Sequence, residues 1–285
     1  FHPQDAHESF IHFAAASVLI DNRWHYFSPG DYFVPFGMLK WQEEGTAALL
    51  LEQKTYLTVT TPMSSPNASK VKRTGNLKLS ENGDLEGTVK MEYTGQYSAQ
   101  YKLDNYKSSE NKREEDLKDF IRSRMSTAEI SDISIQNVDD PEKPFTYIFK
   151  IRVPGYAQKV GRRLLFQPAF FQNGSAPAFT SSDRKYEIFF QYPWSHEDEV
   201  TLELPAGYGL EGPEVPDVVR ETSGITELKY QLSTHTDGSK ILYKRDFYFG
   251  GRGNILFPAS SYPAVKQMFD RFHEADTRQM TLIQK

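Results

Sequence analysis

The sequence predicts a mainly β protein of the β-rich α+β class: an antiparallel, sandwich-like β domain with one or two packed helices, preceded by a strand-rich stretch. Three observations lead there. Short apolar runs alternate with polar residues at period two along most of the chain, whereas only two stretches change to helical spacing. Aromatics are abundant, with 20 Phe, 16 Tyr and 3 Trp among 285 residues, and these side chains favour strands. No repeat of fixed period interrupts the pattern.

Taken in order, residues 1–60 hold strand candidates at Phe10–Ile20, Arg23–Phe27 and Ala47–Val59, the last broken inside, with Asp21-Asn22 as a hairpin turn between the first two. The composition changes to Pro, Ser and Asn over residues 62–69, which sets a boundary between residues 1–60 and 61–285. Leu77, Leu79, Leu85, Val89, Met91 and Tyr93 then fall at odd positions around Asn82-Gly83, which predicts a hairpin because Gly tolerates the positive φ of a tight turn. Leu117, Phe120, Ile121 and Met125 follow at helical spacing, with Ser109 as N-cap and acids in the first turns, so an amphipathic helix is expected. Strands resume at Ile130–Val138 and Phe145–Val153 around an Asp-Pro turn, and continue at Arg163–Gln167, Tyr186–Tyr192, Glu199–Leu204, Thr226–Ser233, Lys240–Phe249 and Met280–Ile283. Asp237-Gly238 marks another hairpin turn, and Pro263–Ala275 a second helix with Val265, Met268, Phe269 and Phe272 on one face.

Composition excludes several functions. A net charge of −5 with scattered Lys and Arg gives no footprint for nucleic acid or anionic lipid. The longest largely apolar run, Phe13–Ile20, is far short of the ~20 residues that cross a bilayer. With no cysteine, the chain has no thiol nucleophile, no disulfide and no Cys-ligated metal. His2, His7 and His12 recur every five residues, which aligns on neither a strand nor a helix face, so neither a metal nor another cofactor is expected. His196-Glu-Asp-Glu199 reads as a solvated connection, and Gly250-Gly251-Arg252-Gly253 as a turn ending a strand, because no helix N-terminus follows it. His12, at the start of one strand and opposite the end of its hairpin neighbour, is placed as a base beside its orienting partner would be, but the pattern alone favours a structural histidine, because it identifies neither nucleophile nor carboxylate.

Phe10-x-His12, Trp24-x-x-Phe27-x-Pro29, Val34-Pro-Phe-Gly-Met-Leu-Lys-Trp41 and Gly45-Thr-Ala-Ala-Leu-Leu-Leu51 resemble the end of the transglutaminase-like, papain-like core found in bacterial proteins between β domains of unknown function. Leu77-Lys-Leu79, Tyr93-x-Gly95, Val153-Pro-Gly-Tyr-Ala157, Gln167-Pro168, Leu204-Pro-x-Gly207, Tyr243-x-Arg245 and Tyr262-Pro263 resemble the β domain after that core. The resemblance implies that residues 1–60 are the tail of the core and residues 61–285 an accessory β domain. It also implies that His12 is the catalytic base of a Cys-His-Asp set. Ser28, before Pro29, occupies the place of the family's Asp; Asp31, three residues on, is the candidate to substitute for it. The nucleophile would belong to an upstream part of the core, making this chain one partner of that part and inert alone. The bacterial envelope or periplasm is the implied location. An alternative expectation is a noncatalytic envelope module that binds protein or polysaccharide through exposed rings, with Tyr97, Tyr101, Tyr106, Tyr186 and Tyr192 as candidates.

Overall fold

The computed structural model describes residues 14–52, 55–212 and 214–285. Its first part is two separate ribbons. Strand β1 (Ala16–Ile20) pairs with β2 (Arg23–Phe27) around Asp21-Asn22, both at positive φ as the predicted tight turn requires, and β3 (Ala47–Leu51) pairs with β4 (Tyr56–Thr60).

The alternating segments after residue 69 assemble one eight-stranded sheet. Strands β5 (Lys70–Leu79), β6 (Leu85–Tyr93), β7 (Glu129–Gln136) and β8 (Phe145–Val153) form one half, in the order β5-β6-β8-β7. Strands β12 (Trp194–Glu203), β14 (Val219–Arg220), β15 (Thr226–Thr234) and β16 (Lys240–Phe249) form the other, in the order β14-β15-β16-β12. The halves meet where β5 runs parallel to β12, with Gly75 opposite Val200 and Leu77 opposite Leu202; the other pairs in this sheet are antiparallel. A parallel pair needs a long crossover, and the chain between these two strands supplies one.

One face of the large sheet is apolar. Leu79, Leu85, Val89, Phe149, Leu228 and Ile241 are buried there, together with Leu164, Phe166 and Leu282 from a second sheet. That sheet contains β9 (Gln158–Val160), β10 (Arg163–Phe166), β13 (Tyr208–Glu211) and β18 (Met280–Gln284) in the order β13-β18-β10-β9. A short pair, β11 (Ile188–Phe189) with β17 (Leu256–Phe257), packs near the last helix, α3 (Tyr262–Asp276). Each fully buried Leu, Ile or Phe contributes roughly 1.5–3 kcal/mol, so this shared apolar layer holds the two sheets together. The opposite face of the large sheet is charged and wet, the usual arrangement for antiparallel strands.

The other helices are α1 (Gly95–Asn105) and α2 (Glu110–Arg122). Helix α2 begins as its sequence predicts, with Ser109 Oγ accepting from Lys112 N–H and Leu117 and Ile121 turned inward. Two expectations need correction. Residues 196–199 are no solvated connection: they are the middle of β12, and Asp198 is buried on the inner face. The strand expected at Tyr186–Tyr192 shrinks to Ile188–Phe189, flanked by loop.

The Asn82-Gly83 turn is tight in two senses. Gly83 has φ of +89°, and a Cβ there would lie 2.1 Å from Ala157 O, while Ala157 N–H donates back to Gly83 O at 2.9 Å. Gly83→Ala is therefore expected to cost about 2–3 kcal/mol, combining backbone strain with a backbone clash, and urea unfolding measures it.

Candidate functional site

The position that the resemblance marks lies where β2 ends. Ser28 is buried, and the turn after it is held by Asp31 N–H on Ser28 O at 3.1 Å. Its hydroxyl donates to Glu43 Oε2 and accepts from Lys40 N–H at 3.0 Å. Lys40 Nζ lies between two carboxylates, 2.9 Å from Asp31 Oδ2 and 3.5 Å from Glu43 Oε1. Burial pulls the Lys40 ammonium down, but the hydrogen bond to Asp31 and the charge of Glu43 outweigh it, so its pKa rises. Ser28 and Asp31 are thus brought into one cluster, through Lys40 and the buried Glu43. His12 lies outside the described residues.

Glu43 is the residue that sequence reasoning missed. It sits fifteen positions from Ser28 and becomes its neighbour only because the chain folds back after Pro35. The adjacent Glu44 is also buried and accepts from Ser64 Oγ at 2.5 Å, Ser64 N–H at 3.2 Å and Gln96 Nε2 at 3.2 Å. Burial pushes the Glu44 carboxyl above the usual range despite these bonds. Gln96, in α1, also donates to Leu39 O at 2.8 Å and accepts from Trp41 N–H at 3.2 Å. Residues 39–44 are thereby latched to the β-rich body, with Trp41 against Phe189 and Phe33 against Tyr106 as apolar support.

Ser28→Asp would place a carboxylate against Glu43. Two carboxylates in one site cannot both stay ionised cheaply, so this variant is expected to lose about 1–3 kcal/mol at neutral pH. One pKa of the pair would be raised in the folded state; the loss is then largest above that raised value and shrinks as pH falls through it. Thermal unfolding at pH 5 and pH 8 checks the sign.

The five tyrosines do not form a shared exposed face. Tyr97 and Tyr101 project from α1 into a ring cluster with Tyr93, Phe145 and Tyr147, and Tyr192 packs edge-on to Tyr97 at 5.5 Å. Tyr106 and Tyr186 are exposed, on separate elements. His196 Nε2 lies 3.3 Å from Tyr97 Oη; burial, with Arg73, Arg245 and Arg124 nearby, drives its pKa well below the ordinary imidazole value. It is a neutral partner for a tyrosine. Among the described residues, no group of three His, Asp or Glu side chains could hold a metal ion.

A second polar cluster crosses the inner face of the large sheet. Arg73 grips Asp198 through two bonds of 2.6 and 2.8 Å, and Arg245 grips Asp276, the last residue of α3, through two of 2.5 and 2.8 Å. Tyr230 Oη donates to Asp276 at 2.7 Å, Gln172 Nε2 reaches Asp198 at 3.4 Å, and Arg245 Nη1 lies 3.8 Å from Asp198. Two cations and two anions cancel. With its carboxylates occupied by guanidiniums, the cluster suits holding elements together rather than accepting a proton from a substrate.

Residues 162–282 match the model of a domain family, DUF3858, described as a domain of unknown function with solved structure. The match begins at β10 and ends in β18, so it takes in β12, β14, β15, β16 and α3, with Asp198, Arg245 and Asp276, but leaves Arg73 outside. No curated protein and no solved structure matches the chain.

Proposed function

We propose that this chain is the C-terminal part of a bacterial transglutaminase-like protein, contributing the last strands of the catalytic core and the β-rich domain behind it. The observation that carries the reading is the state of the two ribbons. Val18, Leu19 and Ile20 are 48, 52 and 47% exposed. Successive strand residues point to opposite faces, so exposure of three in a row leaves neither face covered. Leu51, Tyr56 and Leu57 are likewise exposed at the turn end of the β3–β4 hairpin. A two-stranded ribbon is marginal in water, and one with apolar side chains on both faces requires a further layer. The remainder of a papain-like core, built by residues upstream, is the layer that the resemblance supplies.

In that assembly a Cys of the upstream segment attacks an acyl carbonyl, and His12 takes the thiol proton and returns it to the leaving group. Transfer to an amine gives acyl transfer; transfer to water gives hydrolysis. Ser28, in the place of the orienting acid, has its proton committed to Glu43 and carries no charge of its own. The family resemblance favours the bacterial cell envelope or periplasm as the protein's location.

The test extends the chain through its upstream reading frame and follows amide exchange. Residues 16–20 and 47–51 are expected to gain protection, dye binding to exposed apolar surface to fall, and acyl-transfer or peptidase activity to depend on one upstream Cys and on His12. An upstream frame without that Cys, or ribbons that exchange as fast in the longer protein, would overturn the proposal.

A further inference from the structure

The outer face of the eight-stranded sheet is concave at one end, forming a trough of about 630 Å³ over β5, β6, β7, β8, β12 and β16. Its side chains are ordered in rows by strand register. One row reads Lys240, Glu203, Lys78, Glu86, Arg152, Glu129 from β16 to β7, a strict alternation of charge across six strands. The next row in from that rim reads Thr201, Asn76, Thr88, Lys150, Ser131.

Five of the six charges in the first row are ion-paired within it, and Glu86 lies between Lys78 and Arg152. Glu203 lies 3.4 Å from Lys78 and 3.8 Å from Lys240, while Arg152 lies 3.2 Å from Glu129 and 2.9 Å from Asp84. Lys150, in the second row, is paired with Asp132 at 2.7 Å. A trough with alternating and mostly paired charge offers little field to a phosphate, a polyanion or a cation. The neutral groups of the second row differ. Among the described residues, the side chains of Asn76, Thr88, Thr201 and Ser131 make no hydrogen bond within the protein, leaving hydroxyl and amide donors and acceptors open at strand spacings of roughly 4.8 Å.

We infer that this trough is a binding site for a neutral, hydroxyl-rich chain, an uncharged oligosaccharide. Hydroxyls on such a ligand both donate and accept, which suits a row of threonine, serine and asparagine side chains. An extended peptide fits less well over the trough floor: its amides need backbone partners, and β16, β12, β5, β6 and β8 are each already paired on both sides, while β7, the end strand, offers its unpaired edge in the plane of the sheet and not across its face. Among the described residues no aromatic ring lines the trough, so stacking contributes nothing and a single site binds weakly, in the millimolar range. This inference is independent of the transglutaminase-like reading and would stand if that failed.

The test titrates the isotope-labelled protein with four neutral hexasaccharides, of the gluco, xylo, manno and N-acetylglucosamine series, up to about 20 mM. At least one is expected to shift the amide resonances of Asn76, Thr88, Ser131 and Thr201 as a group, and about 0.5 M salt is expected to leave the affinity unchanged, because no net charge is engaged. Asn76→Leu with Thr88→Val, both on the exposed face, should weaken binding about tenfold with little change in unfolding midpoint. Absence of those shifts with all four sugars overturns the inference. So does shifting confined to another surface, or stronger, salt-sensitive binding of heparin at the trough.

Discussion

Asp276→Ala is expected to lower the unfolding free energy by about 3–5 kcal/mol, a large fraction of what a domain of this kind possesses. The substitution removes both carboxylate oxygens that hold Arg245, at 2.5 and 2.8 Å, and the acceptor of the Tyr230 hydroxyl. Arg245 is then a buried guanidinium whose nearest anion, Asp198, is 3.8 Å away and already bonded twice to Arg73. Among the described residues its Nη1 finds no hydrogen-bond partner even with Asp276 in place, and none of them offers a spare acceptor. Replacing both partners by apolar residues of similar size, Arg245→Met with Asp276→Leu, should recover much of the loss, because the main cost lies in stranding a charge rather than in losing the pair. Urea unfolding of the single and double variants decides the matter: a single-variant loss below about 1 kcal/mol would show that water or a neighbour solvates Arg245.

The same network explains which parts of the fold the sequence discloses. The turns at Asp21-Asn22, Asn82-Gly83 and Asp237-Gly238 were legible because their chemistry is local, and α2 and α3 because their buried faces carry Leu117 and Ile121, or Val265 and Phe272. Helix α1 gave no apolar periodicity. Its buried residues are Gly95, Gln96, Ser98, Lys102 and Asn105; the side chains of Gln96, Ser98 and Lys102 are satisfied by partners far along the chain, and that of Asn105 by Tyr101 O one turn back. Lys102 is wholly buried and donates to Asp140 O at 2.5 Å and Lys143 O at 2.6 Å, which fastens the β7–β8 connection to the helix. Likewise, His196–Glu199 looked like a loop because Asp198 stands in an inward position that normally takes an apolar residue. The available signal was its parity with Val200 and Leu202, matched by Arg73 beside Val71 and Arg245 beside Tyr243 and Phe247: three charges in phase with apolar residues. The parallel junction of β5 and β12 was beyond period-two reasoning, which fixes a strand's faces but not its neighbour. At the candidate site the resemblance singled out Ser28, but the acid beside it, Glu43, is assembled by tertiary folding alone.

Alkaline unfolding is expected to be steep and to precede the ionisation of the tyrosines. Burial raises the pKa of Tyr93, Tyr97, Tyr147, Tyr156, Tyr230 and Tyr243 far above that of a free phenol, and that of Tyr192 to about 12. Unfolding returns each ring to water, where its pKa is about 10. Above that pH the unfolded chain holds fewer protons than the folded one, so stability falls as pH rises. At about pH 11 each tyrosine held neutral by the fold favours unfolding by about 1.4 kcal/mol, and the seven together by about 10 kcal/mol, comparable to the whole stability of a domain. Lys102 acts in the opposite direction: burial lowers its pKa, so its contribution improves as pH rises, but it is one group against seven. Tyrosinate absorbance and far-ultraviolet circular dichroism followed together from pH 8 to about pH 12 should therefore change in one coincident transition for these rings. A gradual rise in absorbance from all the tyrosines near pH 10, with the dichroism intact, would mean that the rings are accessible. It would restore Tyr97, Tyr101 and Tyr192 as a ligand-stacking surface instead of the packed cluster they form beside β6 and β8.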